Sequence, residues 1–424
     1  MAKKIPNTKL YVLDNGMKIL TEKISEVRSV SVGIIVGTGS GAERENESGI
    51  SHFIEHMMFK GTPTRTSFQI AQELDSIGGR INAYTGKEYT CYYAVVLDRH
   101  VDVAVDVLSD IFLNSKIAAE EIDLERKVVL EEISMYEDTP DELIHDFFAE
   151  TILHGHPLSR NTLGTVETVN SFTRNDIIKF QNRYYHPDNI LISIAGNFDP
   201  SKAIKEIEKK FKHLSGKRAK DEERLHKIIP SIKYKTKKTE QVHFCVGTKG
   251  VSQLDENRYT FAILDNILGG CLSSRLFQEV REKRGLAYSI FSYNSSFKNI
   301  GIFCVYAGVS KKNMKEVLDI TLKEFKNVKK DGITEEELSR GKEFIKGSLV
   351  LSLENTSSRM SYNSKSELYY NRVITIDEIF NEINRVAVDD VAQAANHYLN
   401  EKYLNLAVIG EYAQGEEPVK SLSC

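Results

Sequence analysis

The feature that most constrains the fold of this chain is that it repeats itself. Val36-Gly37-Thr38 recurs as Val246-Gly247-Thr248. The run from His52 to Gly61 aligns with Phe261 to Gly270, and Asp176 to Gly196 aligns with Asp390 to Gly410. In the last pair Asp, Asn, Tyr and Gly recur at matching places, with an apolar run before each final glycine. The offset stays between about 209 and 214 residues, so whole domains are duplicated. A chain of 424 residues is also too long for one ordinary domain. The expected division is a first domain at 1–214, a linker at 215–233 and a second domain at 234–424. The charged run from Ser215 to Arg224 is the natural linker.

Strand-like runs fall at 30–36, 89–97, 189–194, 242–246, 301–309 and 404–409. Helical stretches fall near 50–58, 67–77, 101–113, 118–135 and 141–153, with another beginning near Glu335. This mixture predicts α+β domains, each a sheet covered by helices. Asn15-Gly16 marks a hairpin turn near the start of the chain. The stretch from Gly78 to Tyr89 reads as strand, turn and strand.

One run carries chemistry. In Gly49-Ile50-Ser51-His52-Phe53-Ile54-Glu55-His56, the two histidines are four apart. On a helix both imidazoles leave one face and can grip one metal ion. Glu55 stays near that face and is placed to act on a metal-activated water. A third ligand must come from another element. The best candidate segment is the acidic helix at 120–135, with Ile122, Leu124, Val128, Val129 and Ile133 as its apolar positions. In that helix Glu125 and Glu132 are two turns apart and share a face, and Glu131 points elsewhere. In the second repeat Phe261, Leu264 and Asp265 stand in place of His52, Glu55 and His56, and Ser348 stands roughly in place of Glu132. That half cannot hold metal in the same way.

His52-x-x-Glu55-His56, followed by Glu125 and Glu132 in Glu-Arg-Lys-Val-Val-Leu-Glu-Glu-Ile, resembles the M16 family of zinc metallopeptidases, in particular its short bacterial members. The resemblance implies a clamshell of two homologous domains, each a mostly antiparallel sheet covered by helices. It implies one zinc ion per chain, held by His52, His56 and Glu132, with Glu55 as the general base. Glu125 matches a further active-site glutamate that is not a ligand. Arg281 and Tyr288, in Arg281-Glu-Lys-Arg-Gly-Leu-Ala-Tyr288, match an arginine-tyrosine pair that reaches the substrate near the zinc. Asn82-Ala83-Tyr84 matches an edge strand beside the metal, where an extended peptide can add as a further strand. On this basis Asn82 is expected to orient the substrate and Tyr84 to line the pocket after the scissile bond. The implied activity is endopeptidase cleavage of unstructured peptides or precursor segments. The alternative is a non-catalytic or partner-dependent subunit of a heterodimeric processing peptidase. The implied assembly is a homodimer, with a heterodimer of related chains as the other arrangement.

Composition sets outer bounds. A net charge of −4 argues against nucleic acid as a partner. No apolar run reaches about 18 residues, so no membrane span is expected. Met1 to Asn7 shows no secretory signal. Five cysteines are scattered, suit a reducing compartment and show no metal-like clustering in the sequence. A cytoplasmic bacterial protein is the expectation. Two imidazoles and a carboxylate suit zinc, with manganese and cobalt as competitors.

Overall fold

The computed structural model describes residues 8–219, 226–412 and 415–424. The opening stretch Met1 to Asn7 and the middle of the expected linker, 220–225, lie outside the described residues. The rest of the chain forms two compact units.

The first unit is built on a six-stranded sheet. Its strands are β1 (Thr8–Val12), β2 (Lys18–Lys23), β3 (Ser29–Val36), β4 (Arg80–Thr85), β5 (Thr90–Leu97) and β6 (Ile190–Gly196). They lie in the order β1-β2-β6-β3-β5-β4. All neighbours are antiparallel except β2 and β6. The hairpin expected at Asn15-Gly16 joins β1 to β2, with Gly16 at φ 90°.

The second unit has a five-stranded sheet of β7 (Ser231–Thr236), β8 (Val242–Gly250), β9 (Ala287–Ser296), β10 (Gly301–Val309) and β11 (Asn405–Gly410). Their order is β7-β11-β8-β10-β9, and only β7 and β11 are parallel. Without β1 the first order reads β2-β6-β3-β5-β4, and each strand has its counterpart in the second. The internal repeat is thus a repeat of sheet topology.

The packing crosses the contiguous division expected from the repeat. Residues 135–159 group with the second sheet, and residues 351–375 group with the first. The helix Pro140–Ile152 lies on β8 and β11, and the helix Thr356–Tyr370 lies on β3 and β6. The reason is that a sheet has two faces to cover. In the first unit, Val32, Ile34, Tyr92, Ile192 and Ile194 face the main core. The opposite face, with Leu20, Ile35, Cys91 and Leu191, is closed by Met360 of the helix Thr356–Tyr370. In the second unit Phe148, Ile144 and Leu143 close the equivalent face over Cys245, Ile302 and Cys304.

The expected elements at 50–58, 101–113, 118–135 and 141–153 appear as the helices Ile50–Met57, Val101–Asn114, Ala119–Glu137 and Pro140–Ile152. One packing expectation fails. Ile122, Val129 and Ile133 are buried, but Leu124 and Val128 are 57% and 51% exposed. They lie off the buried stripe of their helix, so apolar character alone misplaces them. Among the described residues, no helix is long and apolar enough to cross a membrane.

Candidate metal centre

The helix Ile50–Met57 is short and apolar, and Ile50, Phe53, Ile54 and Met57 fix its inner face. It starts at Gly49, held at φ 93°. A side chain there would meet the backbone of Leu163 and Gly164, so glycine is required. Its first N–H groups have no partner within the helix. The buried carboxylate of Glu43 takes two of them, accepting from Gly49 N and Ser51 N at 2.8 Å each. Burial pushes the Glu43 carboxyl up to about 7, against the pull of those donors and of Arg160.

This anchored helix presents His52 and His56 on one side. Their Nε2 atoms are 3.2 Å apart. Glu132 Oε2, from the helix Ala119–Glu137, lies 3.6 Å from His52 Nε2 and 3.7 Å from His56 Nε2. A zinc ion bonded at about 2.0–2.1 Å in tetrahedral geometry needs ligand atoms about 3.3–3.4 Å apart. The triangle therefore fits a metal ion of that size, with donors of the right kind.

The protonation states agree. Burial, and then the neighbouring His56, hold His52 down to about 3, so its ring is neutral and keeps a lone pair. Burial also pulls His56 down, but the hydrogen bond and charge of Glu125 outweigh it and raise its pKa. Glu125 Oε1 lies 2.7 Å from His56 Nδ1, which assigns the proton to Nδ1 and leaves Nε2 free to bind. The other Glu125 oxygen pairs with Lys60. Burial works against ionisation of Glu125, but His56 and Lys60 prevail and lower its pKa. The arrangement is asymmetric, since His52 Nδ1 is buried with no hydrogen-bond partner among the described residues.

Glu55 is hydrogen bonded to a strand. Its Oε2 accepts from Thr85 Oγ1 at 2.5 Å. Burial raises the pKa of its carboxyl, and the Thr85 bond works in the opposite direction. Thr85 ends β4, the last strand of its sheet, which pairs only with β5 among the described residues.

The other expected site residues divide. Asn82 is exposed, and its Oδ1 accepts from the neighbouring Ala83 N at 2.8 Å. Ala83 packs on the main core. Tyr84 corrects the expectation that it lines a pocket beside the metal. Alternation along β4 turns it to the opposite sheet face from Thr85, where its ring packs with Tyr89 and Tyr93. In the second unit the Arg281 guanidinium lies 4.8 Å from the ring centres of both Phe277 and Tyr288, and Tyr288 is 78% exposed. In the second repeat Phe261 and Leu264 are core residues, and Asp265 is half-buried and accepts from Ser292 Oγ. The structure thus adds Glu43, Lys60 and Thr85 to the site. A second group with ligand atoms within 4.8 Å of one another, His145, Cys245 and Cys304, overturns the expectation that no cysteine joins a metal-like cluster.

The chain is similar to known proteins over nearly its whole length. Residues 18–166 match the model of the insulinase family, peptidase family M16. Residues 171–344 match the peptidase M16 inactive domain. The chain is 44% identical over 396 residues to a Bacillus subtilis protein called "Uncharacterized zinc protease YmxG", covering 93% of this chain and 96% of that one. It is 40% identical to "Uncharacterized zinc protease SCO5738" of Streptomyces coelicolor, covering 94% of this chain and 88% of that one. A Helicobacter pylori protease shares the fold, with a TM-score of 0.88 at 22% identity over 96% of this chain and 99% of that one.

Proposed function

Because the chain belongs to the M16 peptidase family and is a zinc protease of that type, we propose that it is an endopeptidase for unstructured peptides, with His52, His56 and Glu132 as its metal ligands and Glu55 as its base. The observation that carries this reading is the triangle of 3.2, 3.6 and 3.7 Å between three converging donors, with the Glu55 carboxylate on the helix that carries the two histidines. Zinc bound there would polarise the scissile carbonyl and make a water acidic enough to attack near neutral pH. Glu55 accepts the proton of that water and passes it to the leaving amine. Its raised pKa suits both tasks, and Thr85 keeps its carboxylate oriented. Glu125 positions His56 by holding its Nδ1 proton.

The outer edge of β4 at Asn82-Ala83-Tyr84 has no partner strand among the described residues, so an extended peptide could pair with the main-chain groups that face outward there, and binding would depend little on sequence. Arg281 and Tyr288 are assigned to the peptide backbone, where a guanidinium and a phenol can hold a carbonyl and its developing negative charge. The complete ligand set favours a catalytic chain over a silent subunit. A homodimer is the proposed assembly, to be read from the mass of the purified protein in solution.

The deciding experiment is cleavage of an unstructured peptide mixture by the purified chain and by Glu55→Gln, with bound metal quantified in both. The expected result is that the variant keeps its metal and loses activity by about 100-fold or more. Retained activity in the variant, or a wild-type chain that binds no metal, would overturn the reading.

A further inference from the structure

The second unit has lost the metal ligands of the first repeat, yet it gathers a different set. Cys245 of β8 and Cys304 of β10 are both fully buried, and both are free thiols. In the ladder Cys245 stands opposite Tyr306, and Cys304 stands opposite Gly247. The two cysteines are therefore diagonal neighbours on one sheet face. Diagonal positions lie about 7–8 Å apart at Cα, beyond the usual reach of a disulfide. Tyr293 of β9 pairs with Cys304 and joins the same face.

The helix Pro140–Ile152 lowers His145 onto this face. His145 Nδ1 lies 3.7 Å from Cys245 Sγ and 2.7 Å from the Tyr293 hydroxyl. The ligand atoms of His145, Cys245 and Cys304 all lie within 4.8 Å of one another. A tetrahedral zinc with bonds of about 2.3 Å to sulfur and about 2.0–2.1 Å to nitrogen needs a sulfur-to-nitrogen separation of about 3.6 Å. The observed 3.7 Å meets it. Phe291, Tyr293 and Tyr306 surround the His145 ring at 5.0 to 6.0 Å, an aromatic wall that limits access of water.

Comparison inside the chain shows that the fold does not need the second thiol or the imidazole. The repeat offset that aligns Val36 with Val246 aligns Ile35 with Cys245. In the first unit that face carries one thiol, Cys91, and the phenols Tyr84, Tyr89 and Tyr93 beside Leu20, Ile35, Leu191, Ala195 and Met360. The second unit sets a further thiol, Cys245, at the place of Ile35 and brings the His145 imidazole onto the layer. Burial alone would keep both thiols protonated, and it raises Cys245. A thiolate is the form that binds metal.

We propose that His145, Cys245 and Cys304 form a second metal site, for zinc or another thiophilic cation, that clasps the helix Pro140–Ile152 to the sheet of the second unit. Tyr293 closes the fourth side. The bonds formed are two metal–sulfur bonds and one metal–nitrogen bond; the protons of both thiols go to solvent, and His145 Nδ1 gives up its hydrogen bond to the Tyr293 hydroxyl. The site is structural, because its two thiols are fully buried in the sheet face that the helix Pro140–Ile152 covers.

The test uses the full chain, reduced and stripped of metal, titrated with cobalt(II). Cobalt bound to thiolate gives a charge-transfer band in the near ultraviolet, and the His52–His56–Glu132 site has no thiolate to produce one. The expected result is such a band in the wild type, two cobalt ions per chain, and loss of the band and of one ion in Cys304→Ser. If Cys304→Ser does not fold, His145→Asn is read instead, with an expected weakening of the band-forming site by 10-fold or more. No band in the reduced wild type would overturn the proposal. So would a band that survives Cys304→Ser at full intensity, or one that forms in His145→Asn with unchanged affinity, because it would then arise from other thiols such as Cys91, Cys271 or Cys424.

Discussion

Glu125→Gln tests how the metal site is tuned. Glu125 is nearly buried, with its side chain 5% exposed, and it spends one oxygen on His56 Nδ1 at 2.7 Å and the other on Lys60. The amide can still accept from Nδ1 but carries no charge, and it leaves the Lys60 ammonium without its partner. A hydrogen bond to a charged group contributes about 1.5–3 kcal/mol. Losing most of that support for His56 corresponds to zinc binding weakened about 10- to 100-fold, since about 1.4 kcal/mol is a factor of ten. Glu125→Leu removes the acceptor altogether and belongs at the upper end of the range. Glu131→Gln, one position before the proposed ligand Glu132 and exposed, is the control and should change affinity by less than about 0.5 kcal/mol. The assay is competition for zinc against a chelator of known affinity, with circular dichroism to confirm folding. If Glu125→Gln and Glu125→Leu both bind zinc within about twofold of the wild type, Glu125 does not orient His56 in any energetically useful way.

Three further outcomes follow from the same geometry. Thr85→Val keeps the shape of the side chain but removes the donor to Glu55; kcat should fall about 10-fold with zinc content unchanged, and an unaltered kcat would remove Thr85 from the mechanism. Gly49→Ala forces a side chain into a φ of 93° and against the Leu163 carbonyl; we expect a loss of about 2 kcal/mol or more and faster hydrogen exchange across residues 50–57, and unchanged protection there would contradict it. Glu43 has its pKa raised from 4.5 to about 7, so the folded state holds this proton more tightly. Its contribution is fully present below pH 4.5 and is lost as pH rises through about 7, a change of about 3 kcal/mol. Exchange protection of residues 49–57, corrected for intrinsic rate, should fall over that window in the wild type and stay flatter in Glu43→Gln; equal pH dependence in both would refute the assignment.

The histidines were legible because a helix converts spacing into direction, and positions 52 and 56 leave one face whatever surrounds them. The same rule made Glu125 and Glu132 neighbours in advance. The strand runs and the hairpin at Gly16 followed from local pattern, and the repeat foretold two sheets, which proved identical in order apart from β1. Local pattern does not encode which distant segment arrives at a given side chain. Glu43 reaches the start of its helix because the chain folds back before Gly49, and Thr85 reaches Glu55 because β4 packs beside that helix. Tyr84 was misplaced because its direction depends on strand alternation relative to a face that only the assembled sheet defines. The domain boundary failed for a related reason. Duplication copies sequence in order, but covering both faces of each sheet recruits Pro140–Ile152 to one and Thr356–Tyr370 to the other. That recruitment brings His145 to Cys245 and Cys304, residues far apart in the sequence. The frame of a duplicated protein is readable because it is written twice, whereas its chemistry sits in the few positions where the copies differ. Their partners are set by register and packing, and so appear only once the sheets are assembled.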